Sequence, residues 1–229
     1  PRACGWASSW RTVWIFKAYR PSENSLGSGQ VLHCPYTADK ARLVLREMAE
    51  SLALDLVSKR LVTDQVVVTV GYDIENLTDP ERASHYNGLV VSDHYGRRIP
   101  KHAHGTERLE THTSSTKKIM GAATALFDRL VDPNLLIRRL NIVAGHVMPE
   151  NDAKKRNSGF EQLDLFGDYT AQKAKQEQEE AELVRERKMQ ETMLTIKRKY
   201  GKNAILKGMN LEEGATAKDR NDQIGGHRA

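Results

Sequence analysis

The run from Asp64 to Tyr72 sets the tightest limit on what this chain can become. Successive side chains of a strand point to opposite faces. Val66, Val68, Val70 and Tyr72 therefore share one side, and Gln65, Thr69 and Gly71 share the other. Such a strand buries one face against a core and leaves the second available. Helical packing alone cannot satisfy it, so the fold needs a sheet covered on one side.

Two segments carry the complementary helical period. After Thr37, an N-cap residue with Lys40 where a capping-box acid would stand, Ala41, Val44, Leu45, Met48, Leu52 and Leu56 recur at helical spacing, predicting a helix of about five turns that ends near Lys59 and Arg60. A second stripe, Ile119, Ala122, Ala123, Leu126, Phe127 and Leu130, starts after a Ser114 or Ser115 cap and is stopped by Asp132-Pro133. Strands are predicted at Gln30–Cys34, Asp64–Tyr72 and Thr106–Thr113. A last one at Leu135–Val147 places Leu140, Ile142 and Ala144 opposite Arg139, Asn141 and Val143. Residues 73–105, with Pro80, Gly88, Gly96 and Pro100, read as turns around one or two short strands. The expected architecture is α+β: a mainly antiparallel or mixed sheet of four to five strands with both helices on one face.

Beyond Pro149 the composition changes. Residues 151–169 read as a polar linker, 170–200 as a long charged helix, and 201–229 as a Gly-rich tail, flexible when free. Residues 1–20 hold Trp6, Trp10 and Trp14 without clear periodicity and stay unassigned, so the folded domain is expected over 21–150. The chain opens on Pro1 rather than Met, which suggests a piece of a longer protein. No apolar run is long enough to span a bilayer and no signal pattern opens the sequence. Cys4 and Cys34 lack metal spacing and read as thiols of a cytoplasmic protein. The net charge of +5 favours polyanionic partners, provided that the charge is organised.

Within the linker, Gln162-Leu163-Asp164-Leu165-Phe166 stands between Gly159 and Gly167, where no core is at hand for its large apolar side chains. An anchor peptide has this chemistry: Leu165 and Phe166 fill a partner's pocket while Gln162 hydrogen-bonds at the rim. The bland reading is a segment that folds back on its own domain. The pattern resembles the bacterial sliding-clamp-binding pentapeptide at each defined position. Asn24–Leu32, with its Ser-Leu-Gly turn, resembles the entry to the little-finger domain of Y-family DNA polymerases. Leu136–Ile142 resembles that domain's last strand, and Tyr19–Tyr36 and Leu61–Thr78 look like the UmuC-like bacterial subgroup. The resemblance covers roughly residues 17–150, and the tail also looks like that subgroup's.

The resemblance implies a lesion-bypass (SOS, DNA-repair) setting and a domain that grips primer–template DNA without sequence preference across an open sheet face. The candidate DNA contacts are Ser28 and Gly29 through backbone amides, Arg138 and Arg139 on the last strand, and Arg97, Arg98, Lys101, Arg108, Lys117 and Lys118. Ser114 and Ser115 add an anion-friendly helix start. Arg138 and Arg139, being adjacent, are expected on opposite faces, with Arg139 on the polar one. Each is by itself commonly a solvated surface group; together they favour phosphate. The clamp contacts are Gln162, Leu163, Asp164, Leu165 and Phe166, and further repair proteins are implied as partners of the C-terminal helix and tail.

His85, His94, His102, His104 and His112 crowd one region but lack a convincing ligand set, so no metal is expected. The resembled polymerases hold magnesium with acids of a palm domain that would precede residue 1. Asp73 and Asp93 only echo that pattern. No cofactor and no polymerase activity are therefore expected of this chain alone. Two other readings stay open: a free-standing clamp-binding regulator, and a metal-dependent hydrolase built on the histidines.

Overall fold

The computed structural model describes the backbone of residues 24–157, 169–224 and 227–228. The Gln162–Phe166 peptide, the tryptophans and Cys4 lie outside the described residues. In chain order the elements are β1 (Leu26–Tyr36), α1 (Ala38–Lys59), β2 (Leu61–Tyr72), α2 (Glu75–Thr78), α3 (Pro80–His85), β3 (Val90–Ser92) and β4 (Arg98–Pro100). Then come β5 (Ala103–Thr113), α4 (Thr116–Leu130), β6 (Ile137–Gly145), β7 (Met148–Pro149), α5 (Glu150–Asn157) and α6 (Tyr169–Tyr200). A 3-10 turn (Gly208–Leu211), α7 (Ala217–Asn221), β8 (Gln223–Ile224) and β9 (His227–Arg228) follow.

The main sheet has the order β1-β6-β2-β5, with β7 added at the start of β2, and each of these pairings is antiparallel. Thus β1 and β2 run the same way with β6 between them, joined by α1. Strands β5 and β6 do likewise with β2 between them, joined by α4. Two interleaved split βαβ units put both helices on one face. The fold class matches the sequence expectation, and the sheet is antiparallel rather than mixed.

The helix stripes fall where periodicity placed them. Ala41, Val44, Leu45, Met48, Leu52 and Leu56 are at most 2% exposed, as are Ile119, Ala123, Leu126 and Phe127. Each fully buried large apolar side chain contributes roughly 1.5–3 kcal/mol before ordering costs. Thr37 occupies the N-cap of α1, though its hydroxyl makes no cap bond there, and Arg60 ends the helix in the left-handed conformation. Ser115 caps α4 by accepting from the Lys118 amide. A guanidinium fork from Arg42 to Asp128, at 2.7 and 2.8 Å, ties the two helices together. Helix α4 lies so close on β5 that a Cβ at Gly105 would meet Leu130 Cδ1 at 2.6 Å, so only glycine fits without a shift.

The C-terminal part differs from the flexible tail expected for 201–229. Glu47 of α1 is 1% exposed, and its carboxylate accepts from Asn210 Nδ2 (2.9 Å), Thr216 N (2.8 Å) and Ala217 N (3.0 Å). It thereby caps α7 from another element. Gln30 Oε1 accepts from Arg220, Lys40 pairs with Glu213 and Lys207 with Glu50. One buried carboxylate on α1 thus orders a polar, Gly-rich segment that has no apolar stripe of its own. Helix α6 adds a further layer over α1 and the start of α4, with Gln190 and Met193 buried. No helix of the described residues is long and apolar enough to cross a membrane.

Candidate nucleic-acid interface

With α1 and α4 on one side of the sheet, strand alternation decides what the other side displays. Gly29 pairs with Asn141, Asn141 with Thr69 and Thr69 with His104, so a polar line crosses all four long strands. Thr69 Oγ1 and His104 Nδ1 share a 2.8 Å hydrogen bond on it. One flanking line is Gly27, Val143, Val67 and Thr106; the other is Val31, Arg139 and Gly71. Arg108, opposite Gln65, stands further along β5. Gly27, Gly29, Arg139, His104 and Arg108 are all exposed. Edge strand β1 thus offers nearly bare backbone beside a row of polar and cationic side chains.

The expectation that Arg138 and Arg139 point apart fails for a local reason. Arg139 pairs with Gly71 and Ile137 with Tyr72, leaving Arg138 as an extra residue in β6. A bulge breaks strict alternation and re-aims the side chain. Arg138 and Arg139 consequently line the same concavity of about 770 Å³, together with Thr69, Gly71, Asn141 and Val31. Arg138 Nε lies 3.7 Å from Asp73, whose carboxylate also accepts from the Glu75 amide. Asp73 is thus a buried structural acid that orients a cation.

The β3–β4 hairpin walls this concavity with Asp93, Arg97 and Ile99. Asp93 accepts from the amides of Tyr95 and Arg97 and from the Arg97 guanidinium, closing the turn at Gly96. The Arg97 hydrogen bond holds the Asp93 carboxyl below its ordinary value against the opposing effect of burial, with the two amides and the Arg97 charge adding to it. Arg97 also lies over the Tyr95 ring at 5.2 Å. Its charge is therefore shared locally rather than offered whole to a ligand. Arg98 and Lys101 are exposed at the hairpin's base.

The other predicted contacts lie elsewhere. Ser28 alternates with Gly27 and Gly29, so its side chain is on the helix side of β1 and only its backbone lies along the sheet edge. Ser114, Ser115, Lys117 and Lys118 stand at the start of α4, where α6 already engages them. Ser115 Oγ and the Lys117 amide both donate to Glu186, at 2.6 and 2.9 Å. Lys117 pairs with Glu182 and Lys118 with Glu179, while Ser114 accepts from Arg187 and its carbonyl from Gln190. The α6 acids were missed by sequence reading because a charged helix carries no sign of its partner.

The histidines are dispersed in their roles. His85 bonds the Glu81 carbonyl, His94 meets the Tyr95 ring edge-on, His104 bonds Thr69, and His112 lies 3.8 Å from Asp64, which also pairs with His146. Among the described residues no group of three or more His, Cys, Asp or Glu is arranged to hold a metal ion. Polar-row residues Asn141, Thr69 and His104 were legible as one strand face each, but only the sheet order aligns them.

A family model described as the impB/mucB/samB family C-terminal domain matches residues 23–165. No curated protein matches the chain. The matched segment takes in the whole sheet, both packed helices and most of the 151–169 linker, and the chain belongs to that family.

Proposed function

We propose that this member of the impB/mucB/samB C-terminal domain family, the domain type of UmuC-like Y-family polymerases, holds primer–template DNA by its backbone on the open sheet face and docks to a sliding clamp through Gln162–Phe166. The supporting observation is the asymmetry of the sheet. One face is sealed under α1 and α4, while the other presents Gly29, Asn141, Thr69, Arg108 and the paired Arg138 and Arg139. Bare backbone, neutral hydrogen-bonding groups and guanidinium forks suit phosphate oxygens, contacts that position DNA without reading its sequence. The parent function is translesion synthesis in the bacterial cytoplasm. Magnesium and nucleotide transfer belong to a palm domain, so this chain by itself should extend no primer.

Fluorescence anisotropy on a primer–template across a salt series tests the DNA reading. Arg139→Ala should weaken all sequences alike and lower the salt slope by about 0.9, one phosphate's worth. Unchanged affinity and slope in an Arg138→Ala/Arg139→Ala double variant would overturn it. For the clamp, Leu165→Ala/Phe166→Ala should abolish capture by an immobilised clamp and leave Tm and DNA affinity intact. Normal capture would show that the peptide is not the docking element.

A further inference from the structure

The start of α4 is built to receive an anion, and in this structure the anion is the chain's own. Helix α4 is 15 residues long, so its N-terminal amides carry the usual partial positive charge. Ser115 Oγ and the Lys117 amide converge on the two oxygens of the Glu186 carboxylate, at 2.6 and 2.9 Å. Two ammonium groups flank them, and both point at further α6 carboxylates: Lys117 at Glu182 and Lys118 at Glu179. Glu179, Glu182 and Glu186 follow one another at helical spacing on a single stripe of α6. The three carboxylates of that row meet four donors: Glu186 takes the hydroxyl and the helix N-terminal amide, and Glu182 and Glu179 take one lysine each. The same donors suit the successive phosphates of a nucleic-acid backbone.

The two halves of α6 are held differently. Gln190, 4% exposed, donates to the Ser114 carbonyl and to Thr116 Oγ1, and Met193 is buried beside it. Arg187 reaches Ser114, Glu150 and Glu191. These contacts fix the helix from Arg187 onward. The Lys117–Glu182 pair, by contrast, is 81% and 59% exposed, and the Lys118–Glu179 pair is 34% and 51% exposed. Exposed ion pairs contribute little to stability and are screened by salt. The contacts of α6 with α4 therefore grade from exposed pairs at Glu179 and Glu182, through the Glu186 bonds to Ser115 and the Lys117 amide, to the seated Gln190 anchor, so the acidic half is the part that yields first.

We propose that the Glu179–Glu182–Glu186 stripe of α6 is an autoinhibitory phosphate surrogate: it occupies a second backbone-binding site at the α4 N-terminus and must be displaced before Lys117 and Lys118 can meet DNA. This rests on the reading that the domain binds DNA by its backbone. Displacement exchanges two exposed pairs and the Glu186 bonds for contacts to phosphates that release counterions, so a polyanion of sufficient length favours it. It also accounts for two of the domain's cations being engaged on the side of the sheet away from the open face.

The full-length chain tests this with a primer–template duplex as probe. Glu179→Gln/Glu182→Gln/Glu186→Gln should tighten binding several-fold and steepen the salt slope by about 1.8, two phosphates' worth. A control that removes the same charge from exposed acids elsewhere, Glu177→Gln/Glu180→Gln/Glu212→Gln, should tighten binding less and leave the slope unchanged. Lys117→Ala/Lys118→Ala should weaken the triple variant by a larger factor than the wild-type chain and cancel the triple variant's gain. That coupling holds even if the triple variant melts the start of α6, because the lysines are freed either way. Equal loss from the lysine substitutions in both backgrounds, or a triple variant no better than its control, overturns the proposal alone, provided that Arg139→Ala still weakens binding. Absence of binding by every variant overturns the DNA reading, and this inference with it.

Discussion

Gly29 offers the sharpest separation of stability from binding. A Cβ built there meets Asn141 Oδ1 at 3.5 Å and the Leu140 carbonyl at 3.8 Å, ordinary van der Waals contact. Its φ is not in the left-handed range, so an L side chain fits without strain. Gly27 is the internal contrast, since its Cβ would come within 2.9 Å of Val143 Cγ2 and force a shift. Gly29→Ala should therefore keep or raise stability, by about 0.4–1 kcal/mol, through the reduced freedom of the unfolded chain. On the open face the same methyl stands where, in the proposed complex, a phosphate would approach bare backbone. Loss of one hydrogen bond to a charged group costs roughly 1.5–3 kcal/mol, about ten- to a hundredfold in affinity. Gly29→Glu should lose that contact and add repulsion of about 0.6 kcal/mol for each phosphate at ~7 Å in a water-like dielectric. Urea unfolding and anisotropy, run on the same preparations, separate the two effects. A Gly29→Glu chain that is folded and binds primer–template like the wild type would take β1 out of the interface and refute the reasoning.

Two further outcomes follow from buried and paired charges. Glu47→Ala strips the acceptor from Asn210, Thr216 and Ala217; buried orphan donors cost ~1–3 kcal/mol each, so the segment should undock, with a net loss on the order of 3 kcal/mol, seen as fast hydrogen exchange at Thr216 and Ala217 while the β2 and β6 amides stay protected. Unchanged protection at those two amides would mean that the carboxylate does not hold the segment. Asp93 gives a pH dependence: its folded pKa lies below the unfolded value, so its contribution to the hairpin is complete above about pH 3.9 and is lost as pH falls through the lower folded value. Carboxyl NMR should show Arg97→Ala raising the Asp93 midpoint toward the ordinary range, and a wild-type midpoint already there would contradict the turn geometry.

Periodicity carried the domain because the core helices, and most of each core strand, keep a single period. The stripe Ala41–Leu56 is buried as read, as are Ile119, Ala123, Leu126 and Phe127 of the second, with Ala122 and Leu130 partly buried against the core, and the Val66–Tyr72 face lies in the core with Leu140, Ile142 and Ala144. Alternation likewise put Arg139, Asn141 and Thr69 on the uncovered face. It failed at Arg138, where the bulge adds a residue that only the partner strand's register reveals. It also began β5 late: pairing starts at Ala103 opposite Val70, before the apolar and polar residues of that strand alternate clearly. The docking of α6 and of 201–224 was illegible for a different reason. Both are held by polar contacts between residues far apart in sequence, Lys117 to Glu182 and Glu47 to Thr216 among them. Charge pairing leaves no periodic trace in either partner.

That distinction changes what the net charge means. A formal +5 is a weak argument for a polyanion partner when acids and bases are close to balanced along the chain. The fold sorts them. Glu179, Glu182, Glu186, Glu47 and Glu213 all sit on the helix side, against Lys118, Lys117, the α4 amides, the α7 amides and Lys40. The basic last turn of α6, Lys197 to Lys199, lies at that helix's C-terminal end, where the macrodipole favours cations. Arg108, Arg138 and Arg139 remain on the open face, with Asp73 and the Arg97-bound Asp93 as the acids beside them. A polyanion approaching this domain therefore meets a positive sheet face on one side and carboxylates already committed to neighbours on the other. Binding to the open face needs no rearrangement, whereas binding at the α4 N-terminus must first break contacts. The order of engagement thus follows from the distribution of the pairs and not from their sum.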